Sequence, residues 1–422
     1  MPRNAFYAQS GGVTAVINAS AQGVIETARR YSDHIGTVYA GDNGILGALH
    51  ERLIDTSQEL PETIASLRHT PGGAFGSCRY GLKPYEESTA QYERLIEVFK
   101  AHNIGYFFYN GGGGSAVQCA QISELGQRMG YPIQAIHIPK TIDNDLPATD
   151  CCPGFGSAAK YAAVSIAEAG LDLRSMALTS TKVFILEVMG RNAGWIAAAS
   201  GLASRDKDHA PHLILFPEVA FDRDGFLAQV RHYVDTCGCC TVVASEGLRN
   251  PDGSLLSETR PLHADHGRPQ LGGLAPALAT LVRSLLGYKT HYAVADYLMR
   301  SARHIASKTD VEQSYAVGKA AVELALQGHS GVMVTIERTS EAPYRWCTGT
   351  VPVAEVAGKE RKLPREYITE DGYYITDAAR RYLQPLIEGE EHPPYIDGIP
   401  AYAHLRRVLA PQLTDTTYNP DL

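Results

Sequence analysis

The chain has 422 residues, enough for two or three domains at about 150 residues each. Hydrophobic residues make up 44% and charged residues 20%, so a large core can be buried, and disorder, collagen and coiled coil are excluded. The formal net charge of −8 argues against a general polyanion binder, so no nucleic-acid partner is expected and any phosphate site must gather its cations locally.

Residues 4–9 read as a short buried strand that ends at Ser10-Gly11-Gly12, and 13–31 as a helix. A strand over 36–40 follows. Helical spacing runs over 86–102 through Tyr92, Leu95, Ile96 and Phe99. An aromatic-rich strand over 105–110 then ends at four glycines. Ser115 leads into a helix over 116–129, and a strand over 133–138 ends at Pro139-Lys140. The rhythm repeats: helix 158–173, strand 182–188 ending at Met189-Gly190-Arg191, helix 195–203, strand 213–216, helix 226–234, and strand 240–245 ending at Glu246-Gly247. Helices over 274–286 and 314–326 and a strand over 331–336 complete the pattern. Beyond about residue 340 the chain is richer in Pro and Tyr, and an irregular extension wrapped on the body is expected, with no recognisable chemistry. The alternation predicts an α/β protein built on parallel, doubly wound sheets.

Eight cysteines are too few for a disulfide scaffold. The group Cys237, Cys239 and Cys240 lacks a second pair at zinc spacing. Residues 1–10 hold no apolar signal-peptide core and no 18-residue apolar run occurs, so a cytoplasmic protein without a membrane partner is expected.

Ligands of open α/β sheets bind beyond the carboxyl ends of the strands. Ser10-Gly11-Gly12 is a strand–glycine–helix turn that lets backbone N–H groups approach an anion, or simply a tight turn. Asn110-Gly111-Gly112-Gly113-Gly114-Ser115 is stronger: four glycines carry a high backbone entropy cost, and a phosphate chain can lie against them. No Lys-Ser/Thr follows, so it is not a Walker loop. Pro139-Lys140-Thr141-Ile142-Asp143-Asn144-Asp145 joins two carboxylates, a lysine and a threonine just after a strand. That set can supply a base, a metal ligand and positive charge for phosphoryl transfer; the plainer alternative is an Asx turn. Arg79 closes a second glycine-rich stretch, Gly72–Arg79. Arg191 and Glu246 stand at further strand ends, suited to phosphate and to sugar hydroxyls.

Together these segments, with Pro153-Gly154-Phe155-Gly156 and Ser245-Glu246-Gly247, resemble the phosphofructokinase superfamily, and within it the pyrophosphate-dependent branch. The motifs occur in family order over about residues 1–340, and Pro-Lys-Thr-Ile-Asp-Asn-Asp-Leu is highly specific. Residues 362–372 also look like that branch's C-terminal extension. The resemblance implies two Rossmann-like lobes: 1–155 for the phosphoryl donor, 156–298 for the sugar phosphate, and 299–422 returning to both. It implies that Asp143 takes the proton from the C1 hydroxyl of fructose 6-phosphate, and that Asp145 assists through Mg²⁺ or positioning. Lys140 would mark pyrophosphate as the donor, with Gly11, Gly12, Arg79, Gly113, Gly114 and Ser115 around it. Thr141, Gly11 and Arg191 would steady the transferred group. Met189, Gly190, Arg191, Glu246, Tyr297 and Arg300 would form the sugar-phosphate pocket. Lys182, Lys289 and His291 match positions that reach the substrate from a neighbouring subunit, which implies a homo-oligomer, a dimer or tetramer.

Relatives usually carry aspartate at the position of Gly113, and the pyrophosphate branch a second at Gly114. Gly113 shifts metal ligation to Asp145, phosphate oxygens and water. Gly114 leaves room for a nucleotide, so an ATP-dependent 6-phosphofructokinase is the alternative to the pyrophosphate enzyme. Sedoheptulose 7-phosphate is an alternative acceptor. A non-catalytic regulatory subunit would lack the base or the lysine, and both are present.

Overall fold

The computed structural model describes residues 2–85, 87–206, 208–259 and 270–414. Two β-sheets organise them. The larger contains β1 (Arg3–Gln9), β2 (Ile35–Gly41), β3 (Leu53–Asp55), β4 (Ile104–Gly111) and β5 (Gln134–Pro139). The smaller contains β6 (Val183–Val188), β7 (Leu213–Leu215), β8 (Cys240–Ser245) and β9 (Thr290–Val294). The chain then returns to the first sheet with β10 (Val332–Glu341) and β11 (Tyr344–Pro352). The strand orders are β11-β10-β5-β4-β1-β2-β3 and β9-β6-β8-β7. The smaller sheet is parallel throughout. In the larger, only the outer pairs β2–β3 and β10–β11 are antiparallel.

Successive residues of β1 enter different cores, as the period of two in a strand demands. Ala5 and Tyr7 pack with α1 (Ile17–Arg30), while Phe6 and Ala8 pack with α2 (Thr89–Ala101) and α3 (Gly113–Arg128). The smaller sheet is sandwiched likewise. On one face lie α4 (Phe155–Met176) and α5 (Trp195–Ser200), on the other α6 (Arg223–Cys237) and α7 (Leu274–Leu286). Burial on both faces is why the parallel strands read as unbroken apolar runs. After α8 (Asp296–Ser301), the helix α9 (Lys308–Leu326) crosses back to lie on α1. Helices α1 and α9 meet backbone to backbone: a Cβ on Gly318 would stand 2.1 Å from the Ser20 carbonyl oxygen, and one on Gly23 2.3 Å from that of Tyr315.

The structure corrects several expected bounds. Helix α1 starts at Ile17, because 13–16 form an irregular turn. Helix α2 starts at Thr89; Glu86, where it was expected to begin, lies outside the described residues. Helix α3 starts at Gly113, so the last two glycines of the run belong to its first turn. The region past residue 340 is less irregular than expected, since β10 and β11 form a long antiparallel ribbon that completes the larger sheet. α10 (Asp377–Leu383) follows, capped by the Thr376 side chain. A final strap bonds along β3, from Asp55 N to the Val408 carbonyl and from Ala410 N to that of Leu53. Its end is held by buried Glu51, which accepts bonds from Leu413 N at 2.6 Å and Thr414 N at 3.1 Å. No helix among the described residues is long and apolar enough to cross a membrane.

Candidate active site

Strands β5, β4 and β1 are neighbours, so the segments at their carboxyl ends lie side by side. Ser10 N donates to the Asn110 carbonyl at 2.9 Å, and Lys140 N to that of Gly111 at 3.0 Å. The Gly72–Arg79 loop joins at the same level: Gly11 N donates to the Cys78 carbonyl at 2.9 Å, and Ser77 Oγ to that of Gly11 at 2.8 Å. Gly11 has φ of 75°, which favours glycine. At Gly12 a Cβ would stand 2.8 Å from Arg300 Nη1 and 3.5 Å from Arg79 Nη2, so a larger residue would push these two guanidinium tips aside.

Three cations thus converge on the first glycine turn. Lys140 is 5% exposed, and its Nζ donates to the Gly12 carbonyl at 2.5 Å. The Arg300 guanidinium carbon lies over the Tyr297 ring, 3.8 Å from its centroid. Burial brings the Lys140 ammonium down to about 8; Asp145 opposes this and Arg79 adds to it. The α3 N-terminus opens beside them without a side-chain cap, leaving the first N–H groups of the helix for an anion. A Cβ on Gly114 would meet nothing within 4 Å, and one on Gly113 only Leu146 at 3.9 Å. Ser115 is buried, its Oγ packed against Gly111.

The loop after Lys140 turns sharply, with Asn144 at φ 54°. Asp143 N donates to Thr141 Oγ1 at 3.0 Å, so the threonine fixes the first turn. Burial pushes the Asp143 carboxyl up to about 7, with the negative charges of Asp145 and Glu246 adding to it. Asp145 is raised as well, by burial first, against a bond from Thr141. Asp143, raised to about 7, and Lys140, lowered to about 8, are therefore the groups of this site that can hold or release a proton near neutrality.

On the smaller sheet, Met189-Gly190-Arg191 follows β6 and Glu246 follows β8, again neighbours. Gly190, at φ 141°, donates its N–H to Glu246 Oε1 at 3.4 Å, and its carbonyl accepts from Ser245 Oγ at 2.7 Å. Burial raises the Glu246 carboxyl, and the Arg191 charge opposes the rise. A cavity of 270 Å³ opens here between Met189, Glu246, Gly272, Gly273 and Asp296. Glu187 lines it too, but its carboxylate also accepts the Ala275 N–H at 2.8 Å at the start of α7.

The donor and sugar segments approach each other through Arg300, Asp143 and Glu246. Lys182, Lys289 and His291 stand apart. They sit at the start of β6 and β9, the opposite end of the strands from Gly190, with Lys289 Nζ bonded to Ser180 Oγ at 3.2 Å. His291 and Lys289 are exposed. Residues beyond 340 enter the site, against expectation. Glu360 accepts from Asn192 at 3.0 Å, and its charge raises the carboxyls of Asp143 and Asp145. Arg361 bonds the loop directly, Tyr382 OH accepts from Asn144 Nδ2 at 3.1 Å, and neither carries a motif that marks it in sequence.

A sequence model described as Phosphofructokinase matches residues 4–325. The chain is 63% identical to the pyrophosphate–fructose 6-phosphate 1-phosphotransferase of Methylococcus capsulatus over 97% of both chains. It is 60% identical to the protein of that name in Halomonas elongata over 96% of both. The crystal structure of a pyrophosphate-dependent phosphofructokinase from Marinobacter aquaeolei, 57% identical, superposes with a TM-score of 0.91 over 99% of this chain and all of that one. With its fold, its strand-end segments and these likenesses in agreement, the chain belongs to the phosphofructokinase family.

Proposed function

We propose that the chain is a pyrophosphate:fructose 6-phosphate 1-phosphotransferase, with residues 1–155 as the donor lobe, 156–298 as the sugar lobe and 299–422 joining both. The observation that carries the donor assignment is Lys140, a buried ammonium held against the Gly12 carbonyl where the phosphate chain would lie. Pyrophosphate is small and densely charged, and a fixed point charge answers it without contacts to a base or ribose. Full-length identity to proteins named for that reaction supports the reading.

In this reading Arg79, Lys140 and the open α3 N-terminus hold the donor, while Arg300, Glu246, Met189 and Gly190 hold the sugar phosphate. Asp143 accepts the C1 hydroxyl proton as that oxygen bonds the terminal phosphorus. The bridging P–O bond breaks, and inorganic phosphate leaves. Thr141 and Arg191 steady the group in transit. A carboxyl raised towards 7 suits a base that must also return the proton in the reverse direction. Among the described residues no three His, Cys, Asp or Glu side chains gather to hold a metal. A lone carboxylate fits Mg²⁺, which is usually held by one or two carboxylates with phosphate oxygens and water. Asp145 would hold it, and the ion would neutralise phosphate charge.

The edge strand β9 leaves Tyr292 44% and Val294 43% exposed beside His291. This supports a homo-oligomer in which a second copy brings Lys182, Lys289 and His291 to the neighbouring cleft. We expect the enzyme to act in the cytoplasm.

The open space at Gly114 favours one second reading, ATP as donor. Steady-state assays with fructose 6-phosphate, Mg²⁺ and either donor decide between them. Turnover with ATP alone would overturn the pyrophosphate assignment. Asp143→Asn should lower kcat about 10²–10⁴-fold, the usual worth of a general base, and near-normal turnover would remove Asp143 from that role.

A further inference from the structure

The segment between β5 and α4, residues 140–154, forms no helix or strand of its own, although Asp150 N donates to the Ile336 carbonyl of β10 and Thr141 bridges to Gly154. Yet much of it is buried: Asn144 is fully enclosed and Thr149 is 6% exposed. Carbonyls in such a place need donors from elsewhere. They come largely from one side chain beyond the 4–325 span matched by the family model. Arg361 Nε and Nη2 donate to the Asn144 carbonyl at 3.1 and 2.9 Å. Its Nη1 donates to the carbonyls of Thr149 and Asp150 at 2.7 and 2.8 Å. Its backbone N–H donates to that of Asp145 at 2.7 Å. The guanidinium lies over Trp195, 4.9 Å from the ring, and Trp195 Nε1 donates to the Arg361 carbonyl at 3.2 Å. Tyr382 completes the frame: its hydroxyl accepts from Asn144 Nδ2 and donates to the Asp150 carbonyl.

We infer that Arg361 is a positioning residue for phosphoryl transfer: one planar fork ties the two ends of the 144–150 turn together and so sets where Asp143 and Asp145 stand. The inference rests on the reading of Asp143 as the base. A guanidinium is suited to this because its donors point in fixed, coplanar directions at several acceptors, while a lysine ammonium offers one point charge on a flexible stem. Lys140 is held separately, by Gly111 and Gly12, and Arg300 belongs to α8. Loosening the turn should therefore misplace the base and leave substrate binding largely intact. A shift of about 1 Å in a reacting group costs on the order of 10²-fold in rate.

The test is steady-state kinetics of the full-length protein with pyrophosphate, fructose 6-phosphate and Mg²⁺, alongside thermal unfolding. Arg361→Met should lower kcat about 10²-fold with both KM values within about threefold, and Arg361→Lys should fall between it and wild type. In an Asp143→Asn background the same Arg361→Met change should cost clearly less than in wild type, because the base is gone and only Asp145 is left to be positioned. Should Arg361→Met fail to fold, Arg361→Lys and Tyr382→Phe carry the same comparison. A folded variant with kcat within twofold of wild type, a loss confined to KM, or an equal loss in both backgrounds would overturn the inference. Asp143→Asn with normal turnover removes the base reading instead, and the split between kcat and KM in Arg361→Met alone still decides whether Arg361 positions the loop.

Discussion

Replacing Lys140 by methionine keeps most of its volume and removes its charge, so the variant separates what the ammonium does for activity from what it does to the fold. Two unit charges about 4 Å apart attract by about 4 kcal/mol at the effective dielectric of a protein surface. Part of that is shared with Arg79 and Arg300, which stay in place beside Gly12. We expect a loss of about 3–4 kcal/mol in transition-state stabilisation, or a fall of 10²–10³ in kcat/KM for pyrophosphate. Stability should move the other way. The ammonium titrates at about 8, against its ordinary 10.5, so at about 1.4 kcal/mol per pH unit the buried charge costs the folded state about 3 kcal/mol at neutral pH. The bond to the Gly12 carbonyl is lost with it, which offsets roughly 1.5–3 kcal/mol of that relief. The melting temperature should thus hold or rise. The sign with pH is fixed too. The unfolded chain binds the proton more tightly, so wild type gains stability as the pH climbs from 8 towards 10.5, and Lys140→Met should lack that gain. The wild-type KM for pyrophosphate should worsen over the same range. A variant with kcat/KM within threefold of wild type would refute the argument that this charge holds the donor.

Gly114→Asp places a carboxylate where a Cβ meets nothing within 4 Å, so it should fold normally. Any turnover with ATP should fall at least tenfold while pyrophosphate turnover persists, as paired donor assays would read. Gly318→Ala drives a methyl group against the Ser20 carbonyl and should cost about 1–3 kcal/mol, seen as a lower denaturant midpoint with an unchanged slope. Burial alone would raise the Glu51 carboxyl, but its bonds from Thr414, Leu413 and His102 win, so it titrates below its ordinary 4.5 in the folded state. Its hold on the C-terminal strap is complete above that pH and is lost as the pH falls through the lower folded value. Limited proteolysis should find 405–414 protected at pH 7 and cleavable in acid, and Glu51→Gln should expose it at pH 7.

The features legible in the sequence were those with local causes. Strands such as 240–245 and helices such as 274–286 carry enough consecutive apolar or amphipathic residues to declare themselves, and both have the bounds expected of them. The glycine turns and the Lys140–Asp145 segment were visible because phosphate chemistry uses few residue types at strand ends. Strand β11 was missed because only one face of Tyr344–Pro352 is covered and its partner is the adjoining strand of the same ribbon. Strand β9 was missed for a related reason, since an edge strand with exposed Tyr292 and Val294 lacks the closed apolar run of its neighbours. Arg361 and Tyr382 could not be found at all: their partners are backbone carbonyls and an amide more than 200 positions away, and no local pattern encodes such a bond.

The order of the larger sheet also dictates when the protein can become an enzyme. Strand β5 ends at Pro139, yet the strand that covers its open edge begins at Val332. At about 5–20 residues per second, a ribosome needs roughly ten to forty seconds to bridge that gap. Throughout it the nascent first lobe presents an unpaired edge of the kind that invites misassociation. The loop that follows β5 waits longer still, until Arg361 has left the exit tunnel. Both sheets are thus synthesised before the carboxylates can be set in place, and a chain cut short before Arg361 would carry the motifs without a working arrangement of them.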